Sequence, residues 1–297
     1  MRELFLLFLL LVPPRTTPIV ATTDNQIIDC QNQPLIGNGT GTGITIQGKT
    51  GVVVRNCIVH GFELGLYVGD SNQVIVRDSD FSGNYVDDNS HLDLGTEIPK
   101  GGVLLFNTRN SVVQHIVASN NISGVQVVNG GNNTIRANDL NNNRGWGIRL
   151  LNSPHNRVEE NVGNYNNRSC DGIVNFGCES AGLGIINSDF TMVVGNTFNF
   201  SGDGIYQGNT PERASNNCAF YWNTLNDNSA NGIEATFSHD NRFIGNELQR
   251  NNYGFWLGYG SWDVVTGNFM ADNRVMPYAA EHSSNMTVKD NNIEIAQ

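Results

Sequence analysis

Charged side chains are scarce in this chain of 297 residues. Asp, Glu, Lys and Arg supply 15% of positions, against roughly 25% in an ordinary soluble domain. Basic residues are the scarcer sign: 17 Lys and Arg face 28 Asp and Glu, for a net charge of −11. Nucleic acid needs clustered Lys and Arg to neutralise phosphate, so it is not an expected partner. Strong helix formers give way to 33 Gly and 44 Asn, which excludes a helical bundle. After the first dozen residues no apolar run is long enough to cross a bilayer. The five cysteines include no CxxC spacing, so zinc or dithiol chemistry is not indicated.

The amino terminus reads as an address. Arg2 precedes a nine-residue apolar run at 4–12, and Pro13 and Pro14 end it. That length suits a signal-peptide core and is too short for a membrane span. The expected organisation is a signal peptide over 1–21, cleaved after Ile19-Val20-Ala21, and one exported domain over 22–297. The other reading of this region is a buried N-terminal strand. Cys170 and Cys178 flank a Gly-bearing loop and form the best disulfide candidate. Cys30 and Cys57 either meet as a second pair or, with Cys218, are small buried apolar residues.

A repeat runs through the rest of the chain. Gly followed by an aliphatic or aromatic residue recurs at Gly43-Ile44, Gly65-Leu66, Gly102-Val103, Gly124-Val125, Gly147-Ile148, Gly182-Leu183, Gly204-Ile205, Gly232-Ile233 and Gly254-Phe255. The step is 22 or 23 residues where no loop intervenes. An Asn follows fourteen residues after the Gly at Asn138, Asn161, Asn196, Asn246 and Asn268. Another Asn or Asp precedes several of these, at Asn133, Asn156, Asn241 and Asp263. Each unit reads as two or three short strands turned by Asn and Gly. One unit cannot bury its own apolar face, but stacked units can. The residue after each Gly forms one interior column and the residue two further on a second, because strand side chains alternate. The repeated Asn is expected to form a ladder of corner amides.

These marks resemble the right-handed parallel β-helix of the pectate-lyase-like superfamily, with its sugar-processing enzymes and NosD-type periplasmic proteins. The resemblance covers residues 29 to the C-terminus and implies an all-β, single-stranded solenoid of about ten coils. It implies a polysaccharide or oligosaccharide partner and a secreted, cell-surface or periplasmic location. The alternative within the same family is a non-catalytic glycan-binding or structural protein of NosD type. Known chemistries of this fold do not carry over as residue sets. The polygalacturonase pattern survives only as Asp87-Asp88. The mannuronan epimerase motif is reduced to Ser153-Pro154-His155-Asn156, without its carboxylates. A pectate lyase needs acids with a basic partner, and no Arg or Lys is evident beside the acids. No cofactor is expected, although Ca²⁺ bridging would be required before this acidic chain could hold a polyanionic glycan. A neutral or weakly charged saccharide is the better expectation.

Register predicts neighbours. The outward column two residues after each Gly ends in Tyr206, Glu234 and Trp256, an acid between aromatics. Asp203 lies at the same edge. Aromatic faces stack on sugars, and a carboxylate between them can bond hydroxyls or move a proton. The candidate catalytic residues are therefore Glu234, Glu281, His282 and Asp203. The candidate substrate-binding residues are Trp256, Tyr206, Tyr259 and His239, with His239 and Tyr259 expected at the turns matching His282. Aligning Pro277 with the Gly positions places Glu281 outward beside Gly258 and Thr236. Arg149 reads as a surface side chain. Insertions at 84–100, 163–181 and 209–217 are expected to wall the groove.

Overall fold

The computed structural model describes residues 13–85, 99–168, 180–208 and 210–294. The expected pair Cys170 and Cys178, the apolar run at 4–12 and most of the first two insertions lie outside the described residues.

The Gly–aliphatic segments pile into an 11-stranded parallel sheet, from Ile19–Val20 and Thr42–Gln47 to Tyr253–Trp256 and Met276–Ala279. Its register joins Ile44, Leu66, Val103, Val125, Ile148, Leu183, Ile205, Ile233 and Phe255 in one unbroken line that ends on Tyr278. That last pairing sets Pro277 at the level of Gly254. The recurring Gly is required by close stacking. A Cβ on Gly102 would sit 2.5 Å from the Gly124 carbonyl oxygen, and one on Gly124 would sit 2.7 Å from that of Gly147.

A second parallel sheet of 13 strands carries the next side of each coil, including Arg157–Glu159, Met192–Val194, Ala219–Tyr221, Arg242–Ile244 and Val264–Thr266. A third sheet of three strands closes the later coils. The chain is thus an all-β, right-handed parallel solenoid. Among the described residues its only helical turn is the single 3-10 turn Pro211–Arg213. The two interior aliphatic columns merge with Val113, Ile135, Val158, Val193, Phe220, Phe243 and Val265 of the second sheet into one core.

The expected ladder is present. The amide nitrogens of Asn138, Asn161, Asn196, Asn223, Asn246 and Asn268 each donate to the Oδ1 of the Asn one coil on, at 2.9–3.0 Å, ending on Asn291. Each Oδ1 also takes a backbone N–H of the coil before, so the buried corner is satisfied by its own side chains. Another row, Asn84, Asn121, Asn143, Asn166, Ser201, Asn228, Asn251 and Asn273, links a further corner, each backbone N–H donating to the side-chain oxygen one coil on.

At the amino end, Ile19 pairs with Ile44 and Val20 with Thr45, and Ala21 is buried in the core. Residues 19–21 are thus built into the first rung, and cleavage after Ala21 would remove it. Cys30 and Cys57 form a disulfide that joins neighbouring coils. Cys218 is a buried free thiol, and burial pushes its pKa up to about 12, so it is held as an unreactive neutral side chain.

Candidate functional site

Outward residues of the first sheet stand in columns. One runs Gln126, Arg149, Gly184, Tyr206, Glu234, Trp256 and Ala279. A parallel column holds Ser123, Trp146, Ala181 and Asp203, and beyond it Asn231, Tyr253 and Met276. Glu234 therefore lies one rung above Tyr206 and one below Trp256, as the spacing of the repeat predicts.

Asp203 and Glu234 are joined by a third residue that the sequence reading missed. Asn231 donates its side-chain amide to Asp203 Oδ1 at 3.0 Å and to Glu234 Oε2 at 3.0 Å, and its backbone N–H to the same Asp203 oxygen at 2.8 Å. The planar amide fork sets its two acceptors about 5 Å apart. Asp203 is 3% exposed, whereas Glu234 is half-buried. Asp203 therefore orients Asn231, and Glu234 is the carboxylate within reach of solvent. On the next rung Tyr253 and Trp256 pack edge to face, with centroids 4.7 Å apart, above Asn231 and Glu234.

Below Glu234 the face is closed. Tyr206 points outward as expected, but it is 1% exposed, and its ring packs 6.0 Å from that of Trp146. It is a packed side chain and offers no open platform. Arg149, read from sequence as a surface residue, is fully buried in the same column, with its Nη1 3.4 Å from Gln126 Oε1. The reason is a second apolar cluster on the outside of the sheet, built from Leu64, Leu104, Val128, Trp146, Leu151 and Ile186 together with Tyr206. Its signal is visible in the strands Trp146–Leu151 and Ala181–Ile186, which, Arg149 aside, are apolar on both faces.

The remaining candidates separate. Tyr259 and His282 do meet, stacked at 4.8 Å, but the third member of that stack is Phe237, 4.7 Å from Tyr259. His239 lies two residues beyond that ladder. Its Nδ1 is 2.8 Å from Ser261 Oγ, at the corner leading to the second sheet. The expected match of His239 with His282 is corrected accordingly: the turn spans more residues than one column, and Phe237 holds the equivalent left-handed position. Glu281 is exposed beside Gly258 and Thr236, one column over from Glu234 and two coils on. Among the described residues no group of three or more His, Cys, Asp or Glu converges as a metal cage.

This solenoid, with an acid and aromatics on its outer face, defines a right-handed β-helix protein in architecture. The chain belongs to the family described as right handed beta helix region, whose model matches residues 19–180 and 181–297. Among solved structures it is similar to the periplasmic alginate epimerase AlgG, at 12% identity and TM-score 0.60 over 90% of this chain and 77% of that one. It is similar to the A-module of the Azotobacter vinelandii mannuronan C-5 epimerase AlgE6, at 13% and 0.60 over 96% and 88%. The Streptococcus pneumoniae surface adhesin PfbA matches at 12% and 0.55 over 89% and 70%. Comparison with curated protein sequences finds no match. At these identities the likeness shows the fold.

Proposed function

We propose that the chain is a surface or periplasmic β-helix protein that acts on a saccharide at the outward face of its later coils. Glu234 is the proton-transferring carboxylate, Asn231 and the buried Asp203 fix it, and Trp256 with Tyr253 carries the sugar ring. The observation that supports this reading is the Asn231 amide bridging Asp203 and Glu234 directly under the aromatic pair. The structural neighbours named for alginate epimerisation and adhesion are compatible with a saccharide partner.

A second reading, glycan binding without turnover, is favoured by one observation: Asp203 is too buried to touch a substrate. Turnover on a polysaccharide panel, read as new reducing ends or as the absorbance of unsaturated products, separates the two. The hydrolase or lyase reading expects activity that falls on the order of 100-fold or more in Glu234→Gln with binding retained. Binding that survives Glu234→Gln, is lost in Trp256→Ala and never leads to turnover establishes the second reading. Activity unchanged in Glu234→Gln removes the first.

A further inference from the structure

The second sheet carries an open cleft that the repeat produces by two short rungs. In its outward column Ala219 stands between Met192 and Arg242. In the adjoining corner column Asn217 and Asp240 stand between Phe190 and Trp262, linked rung to rung through backbone bonds. The small side chains leave a hollow of about 450 Å³, lined by Phe190, Asn217, Tyr221, Asp240, Arg242 and Trp262.

Three properties equip this hollow to hold a ligand. First, its two end walls are aromatic and open: Phe190 is 50% exposed and Trp262 is 60% exposed. They stand three rungs apart, about 14 Å at ~4.8 Å per rung, which suits a short chain of rings better than a single small molecule. Elsewhere on this corner Phe190 is stacked, face to face with His155 at 4.9 Å, so its orientation is fixed before any ligand arrives. Second, its planar polar groups are unspent. Among the described residues the Arg242 guanidinium and the Asp240 carboxylate form no ion pair, whereas Arg55, Arg77, Arg157 and Arg250 are each paired with an acid. Third, its floor is rigid. Asn217 and Asp240 are held in the left-handed conformation, and the Cys218 and Asn241 backbones beneath are tied into the core by the Asn241 and Asp263 side chains.

Stacking faces with planar donors and acceptors between them are what vicinal sugar hydroxyls require. A guanidinium and a carboxylate side by side give no net charge to attract a polyanion, and the chain as a whole repels one. We infer that the second-sheet cleft between Phe190 and Trp262 is a non-catalytic binding site for a neutral oligosaccharide. It stands apart from Glu234 and does not rest on the first-sheet chemistry. It anchors a glycan along the solenoid, and the aromatic walls supply most of the affinity.

Affinity electrophoresis tests it. The full chain is run through native gels containing soluble starch, galactomannan, xyloglucan or mixed-linkage β-glucan, with alginate and polygalacturonate as acidic contrasts. The expected result is retardation by at least one neutral polymer, lost in Trp262→Ala and reduced in Arg242→Gln, with Tyr165→Ala, an exposed aromatic outside the cleft, still retarded. Circular dichroism of Trp262→Ala checks that this exposed turn residue leaves the fold intact. Quenching or blue shift of tryptophan fluorescence by the retarding polymer, absent in Trp262→Phe if the indole is the reporter, gives a second readout. No retardation by any neutral polymer, retardation only by the acidic ones, or retardation equal in Trp262→Ala overturns the inference. Failure of turnover on the first sheet leaves these outcomes unchanged, so the two proposals fail separately.

Discussion

Asp263 stands one rung above Asn241 and accepts its backbone N–H at 2.7 Å. At the equivalent place in the coils below, the acceptor is an Asn amide: Asn133 donates to Asn156, and Cys218 to Asn241. Asp263 thus puts an ionisable group where the repeat elsewhere uses a neutral one. Burial pushes its pKa up to about 7, against hydrogen bonding from Asn241 and with help from the nearby Asp240.

The pH dependence follows from the direction of that shift. The folded chain keeps the Asp263 proton up to about 7, whereas an unfolded carboxyl loses it near the ordinary value of 3.8. The contribution to stability is complete below that ordinary value and is lost as pH rises through 7. Asp263→Asn, which restores the neutral rung, is expected to raise stability at pH 8 by on the order of 1–3 kcal/mol and to flatten the slope between pH 4 and 7. Urea unfolding at pH 5 and pH 8 measures both. A variant with the parent's slope would show that Asp263 is not strained.

The amide ladder should be most sensitive at its centre. Asn223 takes the Asn196 backbone N–H at 2.9 Å and donates to the Val193 carbonyl at 3.1 Å and to Asn246 at 2.9 Å, all in buried surroundings. Asn223→Ala strands several buried groups at once and is expected to cost about 3–5 kcal/mol. Asn291→Ala, at a partly buried rung open to water, is expected to cost about 1 kcal/mol. Equal losses in the two midpoints would mean that the rungs are independent of depth.

Gly184 tests the closed outer face. A Cβ there would lie 2.6 Å from Cε3 of Trp146, whose indole fills the gap between Arg149 and Tyr206 in the outward column. Gly184→Ala must push the indole away, at an expected cost of about 1–3 kcal/mol, with greater acrylamide quenching of tryptophan emission. Unchanged quenching with a loss below about 0.5 kcal/mol would show that the face accommodates the methyl freely.

The stacking was legible because it is written in one repeated unit. Gly124 and Gly147 carry the step, Val125 and Ile148 the interior column, and Asn138 and Asn161 the ladder. Each has a local physical cause, so each appears at fixed spacing. The neighbours Tyr206, Glu234 and Trp256 follow from the same register. What the register does not carry is depth. It says that Arg149 and Tyr206 point out, but their burial depends on the apolar residues Trp146, Leu151 and Ile186 gathered from neighbouring coils. Phe237 displaced His239 from its expected place for a related reason: turn residues are counted less strictly than strand residues. The cleft between Phe190 and Trp262 was invisible because it arises from what is small, Ala219 and Asn217, between bulky neighbours four rungs deep.

The one-way run of amide rungs from Asn138 to Asn291 also bears on how such a chain can change. Every coil presents to the next the same donor, acceptor and aliphatic pegs that it receives. A whole coil between Gly124 and Gly147 is therefore interchangeable cargo: its excision shortens the shaft by a single tread and leaves the seams able to close. A cut of any other length misaligns all the rows at once, so lengthening and shortening in this architecture come quantised.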